Sequence, residues 1–492
     1  MYRKQQRQQL EFPDFYLPFS GHLDPENRWV QLSQLVPWEL AEKIYHAQLC
    51  PDSGQPIVPS RVALGALLIK EREGLTDRGT VAVIQENPYL QFFIGLEEFT
   101  QEKPFDASLM VGFRKRFGEE GMQRIAEAIA LAALPSVALP PATEAEHDDD
   151  TPSDPPANRG KLIADATCAP ADIRYPTDTS LLNEAREKTD TIIDCLHEPL
   201  VGKQPRPRTY RIKARKQFVA FVKHKKPGRT KIRKANRQQL GHLARNLRAI
   251  DRLLESPEAL SLTHLSRQQY KNLLVCRELY RQQQQMYDNK TQRVDDRIVS
   301  IHQPHVRPIK RGKAGRDTEF GAKLSLSVVN GFSFVDRLSW DNYNEGKDLL
   351  EQIETYRRRF GFYPESVHVD QIYRNRQNRA FCKQHGIRMS GPPLGRKPKE
   401  VSREEKRQAA ADEAIRNQVE GKFGQGKRRF GLGRIMAKVA NTAAVQISIT
   451  FLVMNLEKAL KMCFFVLVTL TMGYRTSLLE YRQGYRQTRT RP

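Results

Sequence analysis

Two acids close two short apolar runs far apart in this chain, and the pattern between them constrains the fold more than any other feature. Lys161-Leu162-Ile163-Ala164 leads to Asp165, and Ser366-Val367-His368-Val369 leads to Asp370. Each reads as a short strand ending at its acid. Between them, GAKLSLSVVNGFSFVDRLSW reads as two strands joined at Asn330-Gly331, a residue pair suited to the positive φ angles of a tight hairpin. A helical run follows the hairpin (EGKDLLEQIETYRRRFG). Beyond Asp370 come a helix over Arg374 to Gly386, a strand over Ile387 to Met389, and a long helix from about Ser402 towards Lys427. The order strand, insertion, hairpin, helix, strand, helix, strand, helix specifies a mixed α/β sheet of about five strands with flanking helices. Groups at the carboxyl ends of adjacent strands in such a sheet face one crevice. Asp165 and Asp370 are therefore expected to converge.

The rest of the chain divides by composition. Residues 1–134 read as a helical N-terminal DNA-binding domain. Leu64, Leu67, Leu68 and Ile69 lie close to helical spacing, and Leu75-Thr76-Asp77-Arg78 forms a turn before a helix starting near Thr80. DASLMVGFRKRF (106–117) opens on a capping Asp and carries basic residues on one side, which suits a helix-turn-helix-like reader and equally a plain helical bundle. Residues 135–160 are rich in proline and acid and read as a disordered linker, so Asp148, Asp149 and Asp150 are solvated charges rather than metal ligands. Residues 161–445 hold the α/β unit with both acids, read as the candidate catalytic domain, interrupted by a basic, mainly helical insertion at about 181–305. Residues 446–492 hold an apolar helix and a basic tail. The most apolar stretch there, Cys463 to Met472, falls short of the roughly 20 residues a spanning helix needs, so no membrane segment is expected.

Charge narrows the partner. The chain has 80 Lys and Arg against 57 Asp and Glu, a formal net charge of +23. Such an excess favours nucleic acid, because neutralising phosphates releases counterions. Residues 201–250 hold 17 Lys and Arg and no acid, with Phe218, Val219, Phe221 and Val222 interleaved. This pattern fits a grip on a nucleic-acid backbone. The six cysteines are scattered, without a CxxC pair, which argues against a disulfide framework or a cysteine zinc site and fits a reducing cytoplasm. The basic N-terminus leads into no apolar run of the secretory kind. His302 and His305 form a short HxxH with no supporting acid or cysteine cluster, which reads as a loop feature.

Two acids in one crevice repel each other unless a cation lies between them. Hard oxygen ligands favour Mg²⁺ or Mn²⁺. Glu420 is the best third acid. Arg416, Glu420 and Lys427 fall on roughly one helical face, able to hold metal and phosphate together. Arg416 and Glu420 alone also have the spacing of an ordinary surface ion pair. Tyr373 and Arg374, just past Asp370, are placed to contact DNA. His368, two residues before Asp370, is either a support for that acid or a packing histidine.

Several runs in this order resemble bacterial insertion-sequence DDE transposases with an InsH-type N-terminal domain and a ribonuclease-H-like core. They are SRVALGALLIKEREGLTDRGTVAVIQENPYLQFFIGL, LIADATCAPADIRYPTDTSLLNEAREK, VRPIKRGKAGRDTEFGAKLSLS, VHVDQIYRNRQNRAFCKQHGI and RNQVEGKFGQGKRRFGL. The resemblance implies that Asp165, Asp370 and Glu420 are the catalytic and metal-binding acids, holding two Mg²⁺ or Mn²⁺ ions, with Arg416 and Lys427 on DNA phosphate. One departure is Glu413, which stands where relatives often carry a tyrosine three residues before the arginine. The implied activity is cleavage at terminal inverted repeats and strand transfer into target double-stranded DNA. A homodimeric synaptic complex is expected because two ends must meet, in a cytoplasmic, nucleoid-associated setting. A silent DNA-binding derivative and a nuclease of the same fold are the alternatives.

Overall fold

The computed structural model describes residues 2–3, 17, 21–47, 49, 55–134, 157–255, 262–310, 318–391 and 402–463. The acidic stretch with Asp148, Asp149 and Asp150 lies outside them, as do the tail and all but the first residue of the run Cys463 to Met472.

A short parallel pair, β1 (Tyr2–Arg3) with β2 (Gln55–Pro56), accompanies the N-terminal helices. These are α1 (Arg28–Leu35), α2 (Trp38–His46), α3 (Ser60–Glu73), α4 (Asp77–Glu86), α5 (Pro88–Phe93) and α6 (Leu109–Ala132). In α3, Leu64, Leu67, Leu68 and Ile69 are all buried. The helix after the turn starts at Asp77, earlier than expected, because the Thr76 hydroxyl accepts from the Gly79 N–H at 3.0 Å and caps it. The reading of 106–117 as a stretch with its basic side free for DNA needs correction at Arg114. Its side chain is buried and donates to Asp77 of α4 at 2.7 Å, so it clamps two helices together.

The main sheet contains β3 (Lys161–Pro170), β4 (Arg307–Lys310), β5 (Thr318–Val329), β6 (Phe332–Ser339), β7 (Ser366–Val369) and β8 (Arg388–Met389). β3 pairs antiparallel with β5 and parallel with β7, which pairs parallel with β8. β4 and β6 lie end to end along the outer edge of β5, at residues 318–321 and 323–329, so six strands fill five positions. The expected hairpin turns at Asn330 (φ 48°) and Gly331 (φ 81°), a left-handed pair that matches the twist of the strands. β3 differs from its expectation. It does not end at Asp165 but runs on to Pro170, because β5 supplies paired partners along its whole outer half. α11 (Leu349–Phe360), α12 (Arg376–Gln384) and α13 (Arg403–Arg429) complete the unit, the last capped by Ser402 and Glu405 in a reciprocal box.

Between β3 and β4 stand α7 (Asp178–His197), α8 (Arg211–Val222), α9 (Arg229–Glu255) and α10 (Arg267–Asp288). They have their own core, built on residues such as Leu182, Ile193, Leu243, Ile250 and Leu279. Inside it Arg186 is fully enclosed, paired with Asp190 at 2.6 Å.

A last helix, α14 (Ala440–Cys463), is long and apolar enough to cross a membrane, yet 83% of its most apolar window is buried inside the protein. It joins the N-terminal helices and the sheet in one continuous core. Asn455 accepts from Ser333 N–H and donates to Ser333 and Ala126 carbonyls. Thr450 donates to Glu71 of α3, and Glu457 pairs with Arg72.

Candidate active site

The parallel register of β3 and β7 brings the first two acids together. Ile163 stands opposite His368 and Ala164 opposite Val369. Asp165 and Asp370 come one step further on, and Asp370 keeps an extended backbone (φ −74°, ψ 168°). Residues in parallel register point to the same face, and adjacent strands lie about 4.8 Å apart. Each carboxylate accepts a backbone N–H from the next residue, Ala166 or Gln371, at 2.7 Å. Asp165 stands mid-strand in β3, and Asp370 directly follows β7.

The face they share is the one α13 crosses. His368, two residues before Asp370 and thus on its side of β7, is buried with Nδ1 3.6 Å from Asp412 of α13. Its Nε2 lies 3.0 Å from the Ser366 hydroxyl. Burial holds the imidazole below its usual pKa, against the pull of Asp412. Asp412 also accepts two bonds from Arg388 of β8, at 2.8 and 2.9 Å. Burial pushes its carboxyl up, but the bonds from Arg388 and Gln408 win and hold it below the ordinary aspartate value. At its far end the chain after α13 returns to β3, where Ile435 N–H donates to Pro170 at 2.8 Å. α13 therefore runs from β8 over β7 towards β3. Glu420 comes eight residues after Asp412, about 12 Å along the axis.

Glu420 is exposed and bound to Arg416, whose Nη1 donates at 3.1 Å. Arg416 also holds Glu413 at 2.6 Å. The bond to Glu413 raises the guanidinium pKa furthest, and the charges of Glu420 and Asp370 add to it. Arg416 thus sits as a cation among these acids, and Glu413 is its tightest partner. Among the described residues, no three acid, histidine or cysteine side chains stand close enough to hold a metal ion.

Tyr373 is corrected by its burial. It closes the 3-10 turn Gln371–Tyr373 and has no exposed surface, so it cannot reach DNA phosphate. Burial, with the charges of Asp165 and Glu345, opposes ionisation of its phenol. Arg374 keeps part of its surface. Burial and Arg379 lower its pKa, and Asp370 opposes them. Lys427 lies in the last turn of α13. His302 and His305 separate: the first pairs with Glu184 at 3.3 Å, the second packs edge-on against Trp340. Sequence reasoning missed Asp412 as the anchor of α13. Its partners, His368 and Arg388, lie on separate strands, and no local spacing links them.

Comparison with known proteins bears on these residues. A family profile described as "Transposase DDE domain" matches residues 367–457, which include Asp370, Arg416, Glu420 and Lys427. A second, "Transposase domain (DUF772)", matches residues 18–116. A protein of Rhizobium meliloti named "Uncharacterized protein ORF8 in nfe locus" is 31% identical over 163 residues, covering 33% of this chain and 71% of that protein. No solved structure matches the chain. With an N-terminal transposase domain and a DDE domain spanning α13, the chain belongs to the insertion-sequence DDE transposases, a family of DNA-binding phosphoryl-transfer enzymes.

Proposed function

We propose that this transposase cuts DNA at the terminal repeats of its element and joins the freed 3′ ends to target DNA, on a ribonuclease-H-like core. Asp165, Asp370 and Glu420 are the catalytic acids of this reading. The observation that supports it is the β3–β7 register, which pairs Ala164 with Val369, the residues just before Asp165 and Asp370, on strands that α13 packs against. Neighbouring carboxylates are hard donors that repel each other, and such a pair fits Mg²⁺ or Mn²⁺. Two bound ions would supply activation of the attacking oxygen and stabilisation of the leaving oxygen. Glu420, now paired with Arg416, would complete the set of acids that holds the ions, and Arg416, Arg374 and Lys427 would be the cations for phosphate. Because the two ends of an element must meet, the working form is a homodimer on double-stranded DNA.

The pairing of Glu420 with Arg416 favours a second reading, a DNA-binding protein that does not cut. Supercoiled DNA carrying the element's own ends separates the two. Joined products with Mg²⁺, lost with EDTA and in Glu420→Gln, are expected. Tight binding with no metal-dependent nick would replace the first reading by the second.

A further inference from the structure

The basic run of 201–250 divides in the structure. Its second half folds inward, with Leu240, Leu243, Leu247 and Ile250 in the core of the insertion. Its first half stands out. α8 packs on α7 and α9, and Ala214 is its one fully buried residue. Arg206 and Arg211 share Asp194. Beyond them Lys213, Arg215, Lys216, Lys223, Lys225 and Lys226 are exposed, and no ion pair within the described residues engages them. The sequence offers no acid between Glu198 and Asp251.

The phase of the helix adds a second observation. Ile212, Lys216, Val219 and Lys223 follow one another at steps of four, three and four, so they form one stripe. Ile212 is 71% exposed and Val219 44%. A helix lying on a bilayer segregates its apolar residues from its cations. Here the two kinds alternate along the same exposed line. A merely solvated basic face has no use for the aliphatic side chains. Phosphates flanking a groove, with sugars and base edges between them, match both kinds of group.

We propose that α8, with the turn leading into α9, is a duplex-DNA contact surface distinct from the acid site, gripping phosphates through these cations. The inference rests on the reading of the chain as a protein that acts on DNA, but not on any role of Asp165, Asp370 or Glu420. From Ile212 to Lys223 the stripe is about 16 Å long, roughly half a turn of duplex.

The test is binding of the full-length protein to short duplex DNA in EDTA across a salt series. Six substitutions are combined: Lys213→Gln, Arg215→Gln, Lys216→Gln, Lys223→Gln, Lys225→Gln and Lys226→Gln. Affinity is expected to fall at least about tenfold at moderate salt. The slope of log K against log salt is expected to flatten by about 2–5, near 0.9 for each phosphate no longer neutralised. Arginine at the five lysines of α8 and its turn, with Arg215 kept, is expected to retain binding. Unchanged affinity and slope in the glutamine variant, at an unchanged melting temperature, would overturn the proposal. So would unchanged DNA binding with lost binding to phosphatidylglycerol vesicles, which would assign the surface to a membrane. Asp165→Asn, run in parallel, keeps the two readings apart: it is expected to bind like wild type, and its failure to cut concerns the acid site alone.

Discussion

At the scale of single residues, charge state depends on what each group is packed against. Glu71 shows the effect most strongly: burial against α14 pushes its carboxyl up to about 7, only partly offset by the Thr450 hydroxyl. A raised carboxyl favours the folded state most below its unfolded pKa of about 4.5, and that advantage is lost as pH rises towards 7. Glu71→Gln is therefore expected to match wild type near pH 4 and to exceed it at pH 8, by up to about 3 kcal/mol. Thermal melts at the two pH values check this, and equal melting temperatures at pH 8 would sink it. If Asp165 and Asp370 are the metal-holding acids proposed above, Asp165→Asn or Asp370→Asn should abolish cleavage and leave DNA affinity within about twofold, because the lost donor would weaken metal binding and not the phosphate contacts. Wild-type cleavage by either variant would remove these acids from the mechanism. Both are legible in the sequence because each follows an apolar run. Tyr373 is not. Its neighbours suggest an exposed turn, and only the fold reveals that the 3-10 turn carries the ring inward.

At the scale of elements, local signals are the readable ones. The Asn330-Gly331 hairpin, the Thr177 cap that starts α7 and the Ser402 cap of α13 all depend on neighbours in sequence. The length of β3 depends instead on β5, more than 150 residues away, and the sequence around Asp165 carries no sign of it. The path of α13 is likewise fixed at a distance, by Asp412 between His368 and Arg388. Asp412→Ala leaves the buried His368 without that partner and removes two bonds from Arg388. A loss of about 1–3 kcal/mol is expected, measured by denaturant unfolding. Cleavage should fall further than DNA binding, because Glu420 is carried on the same helix. Equal losses in both would mean that Asp412 serves stability alone.

At the scale of the whole molecule, one core joins what composition separates. The N-terminal helices, the sheet and α14 share it, while the insertion keeps its own. Composition marks off the acidic stretch between the first two groups, but it cannot show that a distant helix bridges them. Asn455 lies at that junction, with bonds to the β5–β6 hairpin and to α6 and no exposed surface. Asn455→Leu should cost about 2–4 kcal/mol by orphaning buried backbone groups. Calorimetry is expected to show the N-terminal helices and the sheet melting together at a lower temperature. If the sheet kept its wild-type midpoint while the N-terminal helices melted early, the shared core would not be cooperative.

That shared core also sets an order of events during synthesis. At about 5–20 residues per second, α14 leaves the ribosome tens of seconds after α6. Until then the N-terminal helices lack the side chains that cover Glu71 and Ala126, so the first part of the protein to be made is among the last to be finished. A prematurely terminated message would yield N-terminal helices without the α14 side chains that complete their core.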